Sequence, residues 1–292
     1  MSSVGRTLRA YLELSRISNI PTCLTNVLVG CAIAASGEAI PWLPAAGITL
    51  AVMLLYVAGM ALNDAVDAEV DAQLRPERPI PSGRISRGAA FVYAATCLVL
   101  GVGITALFGA AALALGVALA ASIVVYDIIH RRIAASVVLM GLCRAVIYPL
   151  AAAAVSRSVD WNVVGWLAGT LALYIILMTF VARKEAVVQA GARRWLSAAF
   201  PMIVLAPAAT LRPQQGIWSI VAAVALIAWL GWAAGRVFGR PSEIGRAVHA
   251  WLSGICLIDA FFLTLLDQPA AALICLGCFC LTAVGHRYIL GT

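Results

Sequence analysis

Residues 63–71 read Asn-Asp-Ala-Val-Asp-Ala-Glu-Val-Asp, and of all the polar spacings in the chain theirs points most directly to chemistry. Asn63, Asp67 and Asp71 recur at i, i+4 and i+8, and Asp64 lies three residues before Asp67. On a helix these four share one face while Glu69 points elsewhere. Carboxylates stacked this way repel one another unless a cation sits among them. Hard oxygen donors suit Mg2+, which keeps several waters and bridges a few carboxylates to phosphate oxygens. Arg75, Arg78, Arg84 and Arg87 follow at once, with Pro76, Pro79, Pro81 and Gly83 enforcing a turn. Metal-binding Asn63, Asp64, Asp67 and Asp71 beside phosphate-binding Arg75 and Arg78 are what a diphosphate site needs. A solvated acidic loop at a membrane surface is the alternative. It accounts for the charge but not for four acid or amide groups on one face.

The elements that must position these residues are helices in lipid. The 292 residues are 63% hydrophobic and 11% charged, with a mean hydropathy of +0.98. A soluble domain carries about 25% charge, so a pair of soluble domains is excluded. About 20 apolar residues span a bilayer as a helix. Ten segments qualify, at 18–36, 42–62, 89–107, 109–126, 133–154, 162–182, 196–211, 217–235, 247–266 and 269–285. The uncharged run 89–126 is long enough for two spans and divides at Phe108-Gly109 as a tight hairpin. Segment 196–211 is the weakest, because Pro201 and Pro207 fall inside it. Nine spans follow the first and no cleavage site does, which argues against a signal peptide. The expectation is an all-α polytopic membrane protein, with one transmembrane domain over 1–292.

Net charge +7 arises from 20 basic residues, all but one of them arginine, against 13 acidic ones. In a membrane protein such an excess reports orientation rather than a nucleic-acid partner. With both termini cytoplasmic, 17 of the 20 lie in inner loops, Arg157 and Arg212 lie outside, and Arg144 lies within a span. The acidic motif is then cytoplasmic. Enlarged inner loops at 63–88 and 183–195, four spans apart, would jointly cap a cavity. Eight cysteines, all in apolar stretches, read as small buried hydrophobes rather than a disulfide framework. Trp42, Trp161 and Trp218 fall at the outer boundary as belt anchors. His249 and His286 have no ligand spacing and read as structural.

Two ionisable side chains fall inside spans. Arg144 lies about eleven residues into the fifth and Asp259 about twelve into the ninth, both entered from inside. At about 1.5 Å per residue that is roughly 17 Å deep. An unpaired charge there costs about 2.5–3.5 kcal/mol on insertion scales, so each needs a partner. The two either pair directly or bind opposite ends of one polar acceptor. The bland alternative satisfies Arg144 on backbone carbonyls and protonates Asp259.

Asn63-Asp64-x-x-Asp67-x-x-x-Asp71 followed by Arg75-x-x-Arg78-Pro79-Ile80-Pro81-Ser82-Gly83 resembles the first aspartate-rich motif of the UbiA superfamily. Those intramembrane prenyltransferases are similar in length to the whole chain, and usually have nine spans. Arg16-x-x-Asn19-x-Pro21 opens the first span as theirs does. Tyr126, His130, Arg131 and Gly141 fall at the spacing of the family's Tyr-Pro-x-x-Lys-Arg segment and its downstream glycine. Asp127 replaces the proline and His130 the lysine. The resemblance implies a ring of helices around a central cavity. It implies that Mg2+ holds an isoprenoid diphosphate at the cytoplasmic mouth, with the prenyl chain in the interior. Loss of diphosphate gives an allylic carbocation that an acceptor traps. The metal neutralises the leaving group, and the walls exclude water. On this reading Asp67, Asp71, Tyr126 and Arg144 are the catalytic candidates. Asn19, Asn26, Arg75, Arg78, Arg131, Arg183, Lys184 and Asp259 are the substrate-binding ones. Asn19 and Asn26 either line the acceptor pocket or hydrogen-bond a neighbouring helix. Tyr126 either faces the cation or phosphate or is an interfacial aromatic.

The family's second aspartate-rich motif follows its sixth span. Here residues 183–194 contain a single acid, Glu185, the remaining metal-ligand candidate, among Arg183, Lys184, Arg193 and Arg194. Arg183 and Lys184 would neutralise phosphate directly in place of a second cation; otherwise the ancestral transfer has changed, or the loop merely follows the charge rule for inner loops. Gly141-Leu142-Cys143-Arg144, this loop and the opening Ser18-Asn19-Ile20-Pro21-Thr22 resemble the UbiA-like proteins of the EboC type. The expected activity is Mg2+-dependent prenyl transfer from an isoprenoid diphosphate to an unidentified small-molecule acceptor, among membrane lipids. The alternatives are a non-catalytic binder or transporter of a prenylated or phosphorylated lipid, and a terpene-forming or cyclitol- or sugar-accepting member.

Overall fold

Apolar runs bounded by glycine, proline and charge become helices throughout. The computed structural model describes residues 3–182, 195–211, 216–238 and 243–289, and no strand forms among them. Helix α1 covers Ser3–Leu14, α2 Pro21–Ala35, α3 Trp42–Val66, α4 Ala68–Leu74, α5 Arg87–Ala106 and α6 Ala110–Ile129. Helix α7 covers Ser136–Ala145, α8 Ile147–Val155, α9 Trp161–Ala182 and α10 Phe200–Leu205. The last three are α11 at Gly216–Val237, α12 at Ile244–Leu265 and α13 at Pro269–Gly285. Eight segments are long and apolar enough to cross a membrane, and Trp195–Ala209 and Pro269–Gly285 are shorter. The ten expected apolar segments are therefore all helical, but two fall short of an ordinary span.

Local chemistry sets the breaks. Gly109 takes φ +102° between α5 and α6, where the hairpin was expected. Pro149 has no N–H to offer the Ala145 carbonyl, and the fifth span divides at Val146 into α7 and α8. Pro201 and Pro207 similarly leave only the short α10 between two 3-10 turns, Trp195–Ala199 and Ala206–Ala209.

Helix α12 is buried almost throughout, whereas α5, α6 and α11 turn most of their side chains outward. Around it, α12 packs on α11, α13, α2 and α9, while α2 packs on α8 and α3 on α5. Exposed Trp42, Trp161 and Trp218 fit the belt reading. All eight cysteines are free thiols, six of them buried. A small apolar cluster of Leu14, Ala61, Ala65, Ile80, Ile85 and Ala90 pins the 75–86 turn against the end of α3. That cluster brings the arginines back to the aspartates.

Candidate active site

The acidic motif straddles a junction. Helix α3 stops at Val66 and α4 starts at Ala68, so the single continuous helix expected over 63–71 is interrupted at Asp67. The register survives, because Asp67 N–H donates to Asn63 O at 2.9 Å and Asp71 N–H to Asp67 O at 2.9 Å. Asp64, Asp67 and Asp71 are all buried, at 4%, 7% and 5% exposure. Glu69 points outward and pairs with Arg87 at 3.0 Å.

Arginines neutralise the three aspartates. Arg78 Nη1 donates to Asp71 Oδ2 at 2.7 Å and to Asp64 Oδ1 at 3.1 Å, and Arg16 Nη2 donates to Asp64 Oδ1 at 2.9 Å. Asp67 accepts from Arg131 and lies 3.2 Å from His130 Nε2. Burial raises the Asp67 carboxyl, but hydrogen bonds and charge from His130 and Arg131 outweigh it and bring it down to about 2. The Asp67 hydrogen bond raises His130 against the opposing effect of burial. Arg75 has no ion-pair partner among the described residues. Burial and the neighbouring Arg78 charge hold its guanidinium below the usual range. Asn63 Nδ2 donates to Asp127 Oδ1 at 3.1 Å across the gap between α3 and α6.

A cavity of about 550 Å3 begins among these groups and runs inward. Its mouth is lined by Asn63, Asp67, Asp71, Arg75, Arg78, Asp127, His130 and Arg131. Its walls include Val52, Leu55, Leu119, Ile123, Ile147, Ile175 and Met178. Arg16, Asn19, Tyr56, Tyr126 and Arg144 also line it. Asp64 does not, so among the four expected metal ligands that fall in the described residues it is set back behind Arg16 and Arg78. Tyr126 stacks on His130 with centroids 5.2 Å apart. Asn19 lines the cavity and also has Oδ1 2.7 Å from His286 Nε2.

Arg144 and Asp259 do not pair directly. Arg144 Nη1 donates to Asn26 Oδ1 at 3.0 Å, and Asn26 Nδ2 donates to Asp259 Oδ2 at 2.8 Å. Thr25 and Tyr148 hydroxyls donate to the two Asp259 oxygens at 2.5 Å each. The Arg144 guanidinium carbon sits 5.5 Å from the Tyr56 ring centroid. Asn26 and Asp259, expected to contact substrate, are not among the residues that line the cavity. Both are fully buried: Asn26, Thr25 and Tyr148 hold Asp259, and Asn26 links it to Arg144.

Sequence reasoning left Tyr56, Thr25 and Tyr148 unremarked. A tyrosine or threonine in a span has no signature separating a site residue from ordinary core. Arg16 did carry a signal, in its spacing from Asn19. Arg183, Lys184 and Glu185 lie outside the described residues.

The donor set fits a hard divalent cation. Among the described residues no three His, Cys, Asp or Glu side chains form a ready cage. Mg2+ does not need one, because it is bound through one or two carboxylates plus waters and substrate phosphates. Asn63, Asp67 and Asp71 at the cavity mouth supply such oxygens beside Arg75.

Known proteins resemble this chain in sequence over part of its length and in fold over most of it. Over 111 residues the chain is 40% identical to a digeranylgeranylglyceryl phosphate synthase of Methanopyrus kandleri, covering 37% of this chain and 39% of that protein. A synthase of the same name from Methanosarcina mazei is 38% identical over 105 residues, 32% of this chain and 36% of that one. The matched stretches thus span about two fifths of those relatives. In fold the chain is similar to a solved digeranylgeranylglyceryl phosphate synthase structure, with TM-score 0.62, 19% identity and coverage of 89% and 99% of the two chains. It is also similar to a UbiA homologue from Archaeoglobus fulgidus bound to GPP and Mg2+, with TM-score 0.61, 17% identity and coverage of 90% and 99%. Residues 23–248 match the UbiA prenyltransferase family model. With that match extending over most of the helical ring that encloses the cavity, the chain belongs to the UbiA prenyltransferase family.

Proposed function

We propose that this protein transfers a prenyl group from an isoprenoid diphosphate to a small-molecule acceptor inside the membrane. One observation carries the reading: one cavity joins a mouth of carboxylates and arginines to an apolar interior that Arg144 also lines. Relatives named digeranylgeranylglyceryl phosphate synthase, and a structural neighbour bound to GPP and Mg2+, support an isoprenoid diphosphate donor.

Arg75, Arg78 and Arg131 hold the diphosphate oxygens, with guanidinium geometry suited to phosphate. Asn63, Asp67 and Asp71, with Asp64 behind them, would hold Mg2+, which supplies charge neutralisation to the departing diphosphate. The apolar walls take the prenyl chain and keep water from the allylic cation. The C–O bond to diphosphate breaks and its electron pair leaves with the diphosphate. The acceptor's nucleophilic atom then forms the new bond to carbon and gives up its proton. Tyr126 and Tyr56 line the cavity, and aromatic rings there attract a cation. Arg144 and Asn19 orient the polar end of the acceptor. The charge distribution supports an inner-side mouth with both termini cytoplasmic. Reporter fusions at Arg157 and Asp267 are expected outside, and a fusion at Arg84 inside.

One observation favours a second reading, binding or transport of a phosphorylated lipid without turnover. Asp64, Asp67 and Asp71 each already have an arginine partner. Incubating purified protein with labelled farnesyl, geranylgeranyl or longer diphosphates and a membrane-lipid extract separates the two. A labelled product that needs both the protein and Mg2+ supports transfer; retention of intact diphosphate alone supports the second reading.

A further inference from the structure

Asp127 is the unexplained acid of the cavity. It lies in α6, is 2% exposed, and lines the mouth across from the aspartate motif. Its Oδ1 accepts from Asn63 Nδ2 at 3.1 Å, while its Oδ2 is buried without a hydrogen-bond partner among the described residues. Buried polar atoms are nearly always satisfied, and leaving one unmet is costly. Asp64, Asp67 and Asp71 each have an arginine; Asp127 has none among the described residues. His130 and Arg16 act on Asp127 only at a distance, so its Oδ2 has no bonded cation among the described residues.

Neighbouring groups show where a cation would sit. His130 Nδ1 is 3.1 Å from the Asp127 carbonyl oxygen, and its Nε2 is 3.2 Å from Asp67 Oδ2. One imidazole thereby ties the backbone at Asp127 to the carboxylate of Asp67. Because Asn63 turns its amino group to Asp127, its carbonyl oxygen remains an acceptor. Asn63, Asp67 and Asp127 therefore bring oxygens from two helices to one end of the cavity, whereas Arg78 sits between Asp64 and Asp71.

Building on the prenyl-transfer reading, we infer that Asp127 is a direct ligand of the divalent cation, which sits between α3 and α6 on the Asn63–Asp67–Asp127 side of the motif. Two carboxylates and an amide are enough, because waters and diphosphate oxygens complete a hard cation's shell. Asp127 would thus add a ligand that the aspartate motif does not contain.

The test uses the full chain in detergent, Mn2+ as the cation and inorganic diphosphate as the anion, with free Mn2+ read by electron paramagnetic resonance. Asp127→Asn preserves an acceptor for Asn63 and is expected to weaken Mn2+ binding by about tenfold or more. Asp127→Glu is expected to recover part of that loss. Asp127→Ser is the second variant if Asp127→Asn elutes as aggregate on gel filtration. Unchanged Mn2+ affinity in Asp127→Asn, alongside loss in Asp67→Asn, would overturn this assignment and leave the proposed function standing. A wild-type protein that takes up no Mn2+ with diphosphate would overturn both.

Discussion

Arg144 and Asp259 are joined through one carboxamide, that of Asn26, which accepts from Arg144 at 3.0 Å and donates to Asp259 at 2.8 Å. Arg144 reaches the cavity, and Asp259 stays behind its wall with Thr25 and Tyr148. Removing one member of a buried charged network strands the other and costs about 3–5 kcal/mol. Asp259→Leu is expected to lose about that much, and Arg144→Met combined with it should be more stable than Asp259→Leu alone. Unfolding in mixed detergent micelles gives the coupling energy. Strictly additive losses would mean that the chain through Asn26 carries no energy.

Helical phase separates Glu69 from the buried aspartates. Asp71→Asn is expected to reduce Mg2+-dependent diphosphate binding by about 10–100-fold. Glu69→Gln removes only an exposed pair with Arg87 and should change binding little. Titration calorimetry with inorganic diphosphate measures both. Equal losses would make the loop a source of diffuse charge.

The Asp67–His130 contact predicts a pH profile. Asp67 is depressed below its ordinary value of 3.8, so its contribution is present above that value and is lost as pH falls towards about 2. His130 is raised above 6.5, so its contribution is complete below 6.5 and is lost as pH rises through the raised midpoint. The contact therefore stabilises most between about pH 4 and 6.5. Melting temperatures of wild type and His130→Gln should differ most in that window and converge at higher pH. A pH-independent difference would contradict the pairing.

Helix α2 touches α8 at Gly30. A methyl group there would collide with the Tyr148 carbonyl oxygen and come within 2.7 Å of Ala151 Cβ. Gly30→Ala is expected to cost about 1–3 kcal/mol through overpacking. Because Tyr148 holds Asp259, the same change should weaken the Arg144 network. Thermal melting of Gly30→Ala in the wild-type and Asp259→Leu backgrounds checks this, with a smaller loss expected in the second.

Much of this arrangement was legible in the chain itself. Lipid selects long apolar runs, so ten helical segments stood out, and Pro201 and Pro207 marked the weakest of them, which is broken. Period 3.6 placed Asp64, Asp67 and Asp71 together and Glu69 apart, and this phase holds through the junction at Asp67. Pro149 signalled the break at Val146, but a proline inside an apolar run reads equally well as a mild kink. The Arg144–Asn26–Asp259 chain was out of reach for another reason. It needs α2, α7 and α12 to meet, and helix adjacency in lipid leaves no periodic trace. Asp127 was visible only as an odd residue in a familiar spacing; its unpaired oxygen is a property of the folded cavity.

Release of inorganic diphosphate from a pure isoprenoid diphosphate tests the central claim most directly. Wild-type protein is supplied with geranylgeranyl diphosphate and membrane-lipid extract, with Mg2+ or with chelator. The account predicts release with Mg2+ that the chelator abolishes, and strong loss of that release in Asp67→Asn. Stoichiometric binding of the intact diphosphate, with no release under either condition, would contradict it.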